Sequence, residues 1–275
     1  MRLTDIQVDP RPVAVVRASL GVAAIINAVE VSRILRGVAG GRLRFPVVES
    51  LPSPSSAAVA AYLVLAIVAG LALTVGFHTI TAAVTTTVLS VAALLWDQQT
   101  YSNHRLLVTL LVAYLAFAKS DRAWAVSRRN GGLVPWWPQL LMMTQLSICY
   151  FFAAFAKINP VYLPGDVFTQ WLWIEVPAAV LPVLAVGSVM TEFFLAFGLW
   201  FRLTRYAAAA AGLALHVSIV VLMADDNLVL FAFAMACVPV YGLFLTRPSV
   251  RELGLGRASE QAPSRRPNPS SARRL

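Results

Sequence analysis

Eight apolar runs, at about residues 13–32, 56–74, 77–96, 104–118, 138–158, 178–201, 206–224 and 228–245, occupy most of this 275-residue chain. Each approaches the twenty or so residues with which a helix crosses a bilayer. Each is continuous, where the strands of a membrane barrel would alternate apolar and polar positions over about ten residues. Backbone in hydrocarbon has to satisfy its own N–H and C=O groups, so runs of this kind predict helices. The expected fold is all-α integral membrane, a polytopic bundle of about eight transmembrane helices. Composition agrees, with 59% hydrophobic and 13% charged residues and a mean hydropathy of +0.72, far from the make-up of a soluble domain.

One helical domain is expected over residues 1–246, followed by a basic tail over 247–275, "RPSVRELGLGRASEQAPSRRPNPSSARRL". Its Pro, Ser and Arg content predicts disorder beside anionic lipid headgroups. No signal peptide is expected, because "MRLTDIQVDPRPVAVVRASL" mixes acids with its bases and lacks a cleavage pattern. Cys149 and Cys237 both lie in apolar runs and predict no disulfide framework. A net charge of +9 would point to nucleic acid in a soluble chain, but here the bases follow the loops. With the N-terminus inside, fifteen Lys and Arg fall on the inner side and six on the outer, counting Arg33, Arg36, Arg42 and Arg44 in an outer loop. That asymmetry predicts a multi-pass protein of the plasma membrane with both termini cytoplasmic. No internal repeat is visible, which weakens an inverted-repeat transporter.

Ionisable groups at membrane depth are costly, and they narrow the candidate site. Asn103 and His104 open the fourth run in "TYSNHRLL", where they can cap a helix or form a polar rim. Lys157 ends the fifth run in "CYFFAAFAKINPVYLPGD", on the helical face of Tyr150, Ala153 and Ala154. It can snorkel to headgroup water or, if desolvated, act as a base. Glu192 and His216 lie deep in the sixth and seventh runs, where they can pair with each other. Asp225 and Asp226 read as a solvated hairpin, His78 as a tight turn, and Trp136, Trp137, Trp171 and Trp173 as an interfacial belt. No zinc-spaced His/Cys set, phosphate loop or nucleophilic triad is evident, so no metal is expected.

The segments "RPVAVVRASLG", "LRFPVVESLPSP", "TYSNHRLL", "AWAVSRRN" with "VPWWP", "CYFFAAFAKINPVYLPGD" and the late histidine recur in one order over about residues 10–245. In that order and spacing the chain resembles the HTTM family, which includes the vitamin K-dependent gamma-glutamyl carboxylases. The resemblance implies quinol-linked lyase chemistry, in which reduced vitamin K or menaquinone and oxygen generate a strong base for carboxylation. It assigns Lys157 as the catalytic base, Asn103 and His104 as its catalytic partners, and His216 to the pocket, which Glu192, from its depth, and Tyr150, from the helical face it shares with Lys157, are expected to line as well. It implies as partners the lipid bilayer and a quinone-like small molecule, and no nucleic acid. The family's carboxylases carry two adjacent lysines where this chain has Ala156 and Lys157, and a large extracytoplasmic domain without a counterpart here, so a protein or peptide substrate is left open. Two other functions stay in view: an accessory membrane protein whose polar groups fix helix packing, and a transporter using Glu192 and His216 as a proton relay.

Overall fold

In a computed structural model the described residues are 3–127, 131–225 and 227–248. The eight apolar runs all appear as helices: α1 (Arg11–Ala39), α2 (Ser56–Val75), α3 (Thr79–Trp96), α4 (Asn103–Leu115), α5 (Trp137–Ala156), α7 (Leu181–Gly198), α8 (Arg205–Leu222) and α9 (Asn227–Thr246). A single turn, α6 (Phe168–Trp171), lies between α5 and α7. Seven of the eight are long and apolar enough to cross a membrane, and the thirteen-residue α4 is the short one. It stops early because Ala116, Phe117 and Ala118 each bond three residues back, tightening the last turn.

The helix starts and stops follow local chemistry. The Ser55 hydroxyl accepts from Ala58 N–H at the start of α2, and Gly76, at φ +75°, ends it in the left-handed region where a side chain would be strained. His78 does occupy a tight turn, at φ 43°, immediately before α3. The first run is longer than its sequence predicts. Arg33 and Arg36, placed in a loop by their charge, lie on α1: Arg33 pairs with Glu30, and Arg36 Nη2 donates to Ser32 Oγ at 2.9 Å. Pairs three and four residues apart support a helix beyond its apolar stretch, so the loop shrinks to residues 40–55.

α1 is the axis of the bundle, packed on α2 along one side and α9 along the other. Val13, Val16, Leu20 and Leu35 are fully buried along it. Its start marks what we term the N-terminal face, where Gln7–Val8 pairs antiparallel with Val134–Pro135. Trp136 is buried there, its backbone N–H bonded to Ile6 O, while Trp171 and Trp173, toward the far face, are exposed. Arg17 is 1% exposed and donates to the carbonyls of Ser120 at 2.6 Å, Ala123 at 3.2 Å and Trp124 at 2.6 Å. A charge in the core of α1 is thus spent on pinning the loop after α4.

Candidate functional site

α5 and α7 run antiparallel, with Trp200 Nε1 donating to Ser147 Oγ at 2.7 Å and the Phe151 ring stacking edge-on against Phe193 and Phe197. That register carries Lys157, the residue capping α5, to Glu192, and Nζ donates to Oε1 at 2.6 Å. Glu192 lies eleven residues after Leu181, where α7 begins, or about 16 Å along the helix. The ion pair therefore sits near the middle of a hydrocarbon layer about 30 Å thick, too deep for simple snorkelling. The Lys157 side chain keeps 29% of its surface exposed and Glu192 9%. Glu192 Oε2 is buried without a hydrogen-bond partner.

α5 ends at this depth because Asn159 and Pro160 stop it, and the chain returns through the irregular segment 158–180. Non-helical backbone at membrane depth is tolerated where it is satisfied locally and lines a cavity. Asn159 meets that need: its Nδ2 donates to Ala156 O at 2.8 Å, and its Oδ1 accepts from the N–H groups of Val161 and Tyr162, both at 2.9 Å. Tyr162 Oη and Ser188 Oγ then bond across to α7 at 2.7 Å. The far end of the segment is tied to α8, with Ala224 N donating to Trp171 O at 2.7 Å and Trp173 Nε1 to Val221 O at 2.7 Å.

Between this segment, α7 and α8 lies a cavity of about 580 Å³. Its walls are mostly apolar, with Leu184, Leu215 and Ile219 from the helices and Phe168 and Trp171 from the roof, and Lys157 is the single charged lining residue. Nζ stands 5.5 Å from the Tyr162 ring centroid, so the aromatic face helps to hold an ammonium there. Gly187, Ala211 and Ala214 keep the α7–α8 wall thin.

The other sequence-derived residues divide differently from expectation. Glu192 and His216 do not pair, because each is taken by a different side chain of α5. Lys157 takes Glu192, while Tyr150, two helical turns earlier, bonds His216 Nε2 at 2.8 Å and also bonds Tyr241 on α9. His216 is 2% exposed, its Nδ1 has no partner, and its ring borders an apolar groove of about 300 Å³ between α8 and α9. Its ring meets Phe233 at 5.2 Å, and the His104 ring lies 6.4 Å from the same phenyl. His104 Nε2 bonds Ser102 Oγ at 3.1 Å, and Ser102 Oγ caps α4 by accepting from Arg105 N–H at 3.4 Å. Asn103 is exposed and accepts from Tyr101 Oη at 2.7 Å. Asn103 and His104 thus lie at the start of α4, while Lys157 with Glu192 and Tyr150 with His216 form two polar clusters along α5. Asp225 is exposed as expected, and Asp226 lies outside the described residues, as does the tail beyond Pro248.

Sequence reasoning missed Asn159, Tyr162 and Tyr241. The first two follow Lys157 closely enough that an Asn before Pro could have been read as a helix stop, but nothing local marks Tyr241 as a partner of Tyr150. Among the described residues, no three His, Cys, Asp or Glu side chains gather as a metal set.

A helical bundle with an ion pair at mid-depth, facing a largely apolar chamber, defines a polytopic membrane protein built around an intramembrane polar site. The HTTM domain matches residues 6–241, and the chain belongs to that family. No curated protein and no solved structure matches it.

Proposed function

We propose that this protein is a plasma-membrane enzyme, with both termini cytoplasmic, whose Lys157 amine takes a proton from the hydroxyl of a lipid-soluble quinol. The observation that carries this reading is that Lys157, held by Glu192, lines a chamber of about 580 Å³, within the roughly 300–1,000 Å³ of small-molecule sites. An aromatic roof and aliphatic walls suit a naphthoquinone ring, and the unmet Glu192 Oε2 is a buried acceptor close to the amine. In the proposed step the amine accepts the hydroxyl proton at Nζ, and the ammonium so formed is held by the Glu192 carboxylate and the Tyr162 ring. The surrounding apolar walls keep bulk water from competing for that proton. A reduced vitamin K or menaquinone would supply, with oxygen, a base strong enough for carboxylation or related carbon–carbon chemistry. Tyr150 and His216 serve the pocket indirectly by joining α5, α8 and α9, and Asn103 and His104 belong to the cap of α4.

The test supplies purified protein with reduced menaquinone, oxygen and labelled bicarbonate. Quinone epoxide formed by the wild type and lost in Lys157→Ala supports the proposal, and equal turnover by both removes Lys157 from the chemistry. A packing role is the second reading, favoured by the closed Tyr150–His216–Tyr241 set. It expects Lys157→Met to leave biological activity unchanged.

A further inference from the structure

Three arginines gather on the N-terminal face, where α7 turns into α8 and α9 ends. The turn is fixed by the Trp200 ring, which meets Phe244 of α9 edge-on with centroids 5.0 Å apart. Guanidiniums from both elements cross this contact. Arg205, at the start of α8, donates from Nη1 to Phe244 O at 3.4 Å. Arg247, just past α9, donates from Nη2 to Trp200 O and lies with Cζ 6.0 Å from the Trp200 ring centroid. Arg202, in the turn itself, is exposed.

Among the described residues no carboxylate pairs with any of the three, since the ion pairs there join Arg11 to Asp9, Arg33 to Glu30 and Lys157 to Glu192. Asp9, which shares a groove with Arg247, is thus already taken. Burial, and then repulsion from Arg205 and Arg202, lower the Arg247 pKa from its ordinary value. Like charges held this close cost the fold energy unless an anion offsets them. A guanidinium carries five N–H donors in a planar fork that matches phosphate oxygens, and Arg205 and Arg247 each give only one to a backbone carbonyl.

The surroundings define which phosphate. The turn joins two helices long and apolar enough to cross a membrane, which sets it at the depth of lipid headgroups. Beside the arginines, Phe201 is 62% exposed and Tyr206 61%, an aromatic fringe that suits the interface between headgroups and acyl chains. Three positive charges exceed the single negative charge of a phosphodiester, so the matching headgroup carries two phosphates. We infer that the α7–α8 turn and the end of α9 bind an anionic phospholipid with two phosphate groups, held by Arg202, Arg205 and Arg247. This site is separate from the Lys157 chamber and stands whatever that chamber binds.

Native mass spectrometry of the full chain in detergent, titrated with diphosphatidylglycerol, tests it. Arg202 makes no hydrogen bond with a described residue, so Arg202→Gln is expected to fold normally and to weaken binding about fivefold. Arg202→Gln/Arg247→Gln should weaken it about twentyfold. The control is Lys119→Gln, which removes an exposed charge from the loop after α4 on the same face and should change the affinity by less than about twofold. Phosphatidylglycerol, with one phosphate, is expected to bind several-fold more weakly at matched total charge. Inorganic pyrophosphate, with two phosphates and no acyl chains, should not displace the lipid at equal concentration. An affinity unchanged in Arg202→Gln, an equal loss in Lys119→Gln, equal binding of phosphatidylglycerol, or displacement by pyrophosphate overturns the proposal.

Discussion

At the scale of single residues, the costs of burial separate groups held for a partner from groups held for packing. Lys157 and Glu192 satisfy each other, and removing either leaves a charge at depth. Lys157→Met alone is expected to lower stability by about 2 kcal/mol, under the range for a fully buried pair because the amine is partly exposed. Lys157→Met/Glu192→Leu should recover most of that loss while staying inactive toward quinol. Thermal unfolding in detergent, run as a double-mutant cycle, measures the coupling. Additive single losses would show that the pair is not formed. Arg17 is a different case, since its guanidinium serves three backbone carbonyls of the loop after α4. Arg17→Met is expected to cost about 3 kcal/mol through lost charge-assisted hydrogen bonds and to open the loop around Trp124 to protease, read as cleavage there under native conditions. Lys157 could be found from the sequence because a lysine after a long apolar run is unusual. The role of Arg17 could not, because its acceptors lie more than a hundred residues away in the chain.

At the scale of helices, what matters is how each element repairs its own irregularities. Pro239 lies inside α9 and has no N–H to offer Met235 O, and Ser19 of α1 supplies the missing donor at 2.5 Å. Ser19→Ala is therefore expected to cost about 1 kcal/mol, and clearly less when Pro239→Ala restores the backbone donor. The cycle is again read by unfolding, and an equal cost in both backgrounds would break the link. Gly212 on α8 permits the approach of α9: a Cβ there would lie 2.5 Å from Tyr241 Oη and 2.7 Å from Leu195 Cδ2. Gly212→Ala should displace Tyr241 and destabilise by about 1–3 kcal/mol, as overpacking does, with the tyrosine environment followed by near-ultraviolet circular dichroism. A small residue in "AAAAAGLALH" is visible in the sequence, but which phenol needs the space is not.

For the whole molecule, the alternation of helices places the segment that roofs the Lys157 chamber toward the far face, opposite the start of α1. The proposed topology, which sets the excess of Lys and Arg in the other set of loops inside, would put the far face outside. In a variant with Cys149 and Cys237 replaced by alanine, Asn103→Cys is expected to react with an impermeant maleimide added to intact cells. Leu203→Cys, 94% exposed at the N-terminal face, should react only after permeabilisation. The reverse pattern would invert the topology and put the Lys157 chamber on the cytoplasmic side.

Apolar run length decided the fold class from the sequence, because a backbone in lipid has few ways to satisfy its hydrogen bonds, and eight runs leave little choice beyond a helical bundle. The same physics marked Lys157, Glu192 and His216 as residues with something to do, since charge at depth is expensive wherever the helices end up. Partnership was decided only in three dimensions. The rotation and register of α5 against α7, α8 and α9 give Glu192 to Lys157 and His216 to Tyr150, and they leave Asn103 at the surface. Lipid-facing and core-facing sides of such helices are almost equally apolar, so the pattern of residues along each one carries little information about which neighbour it meets.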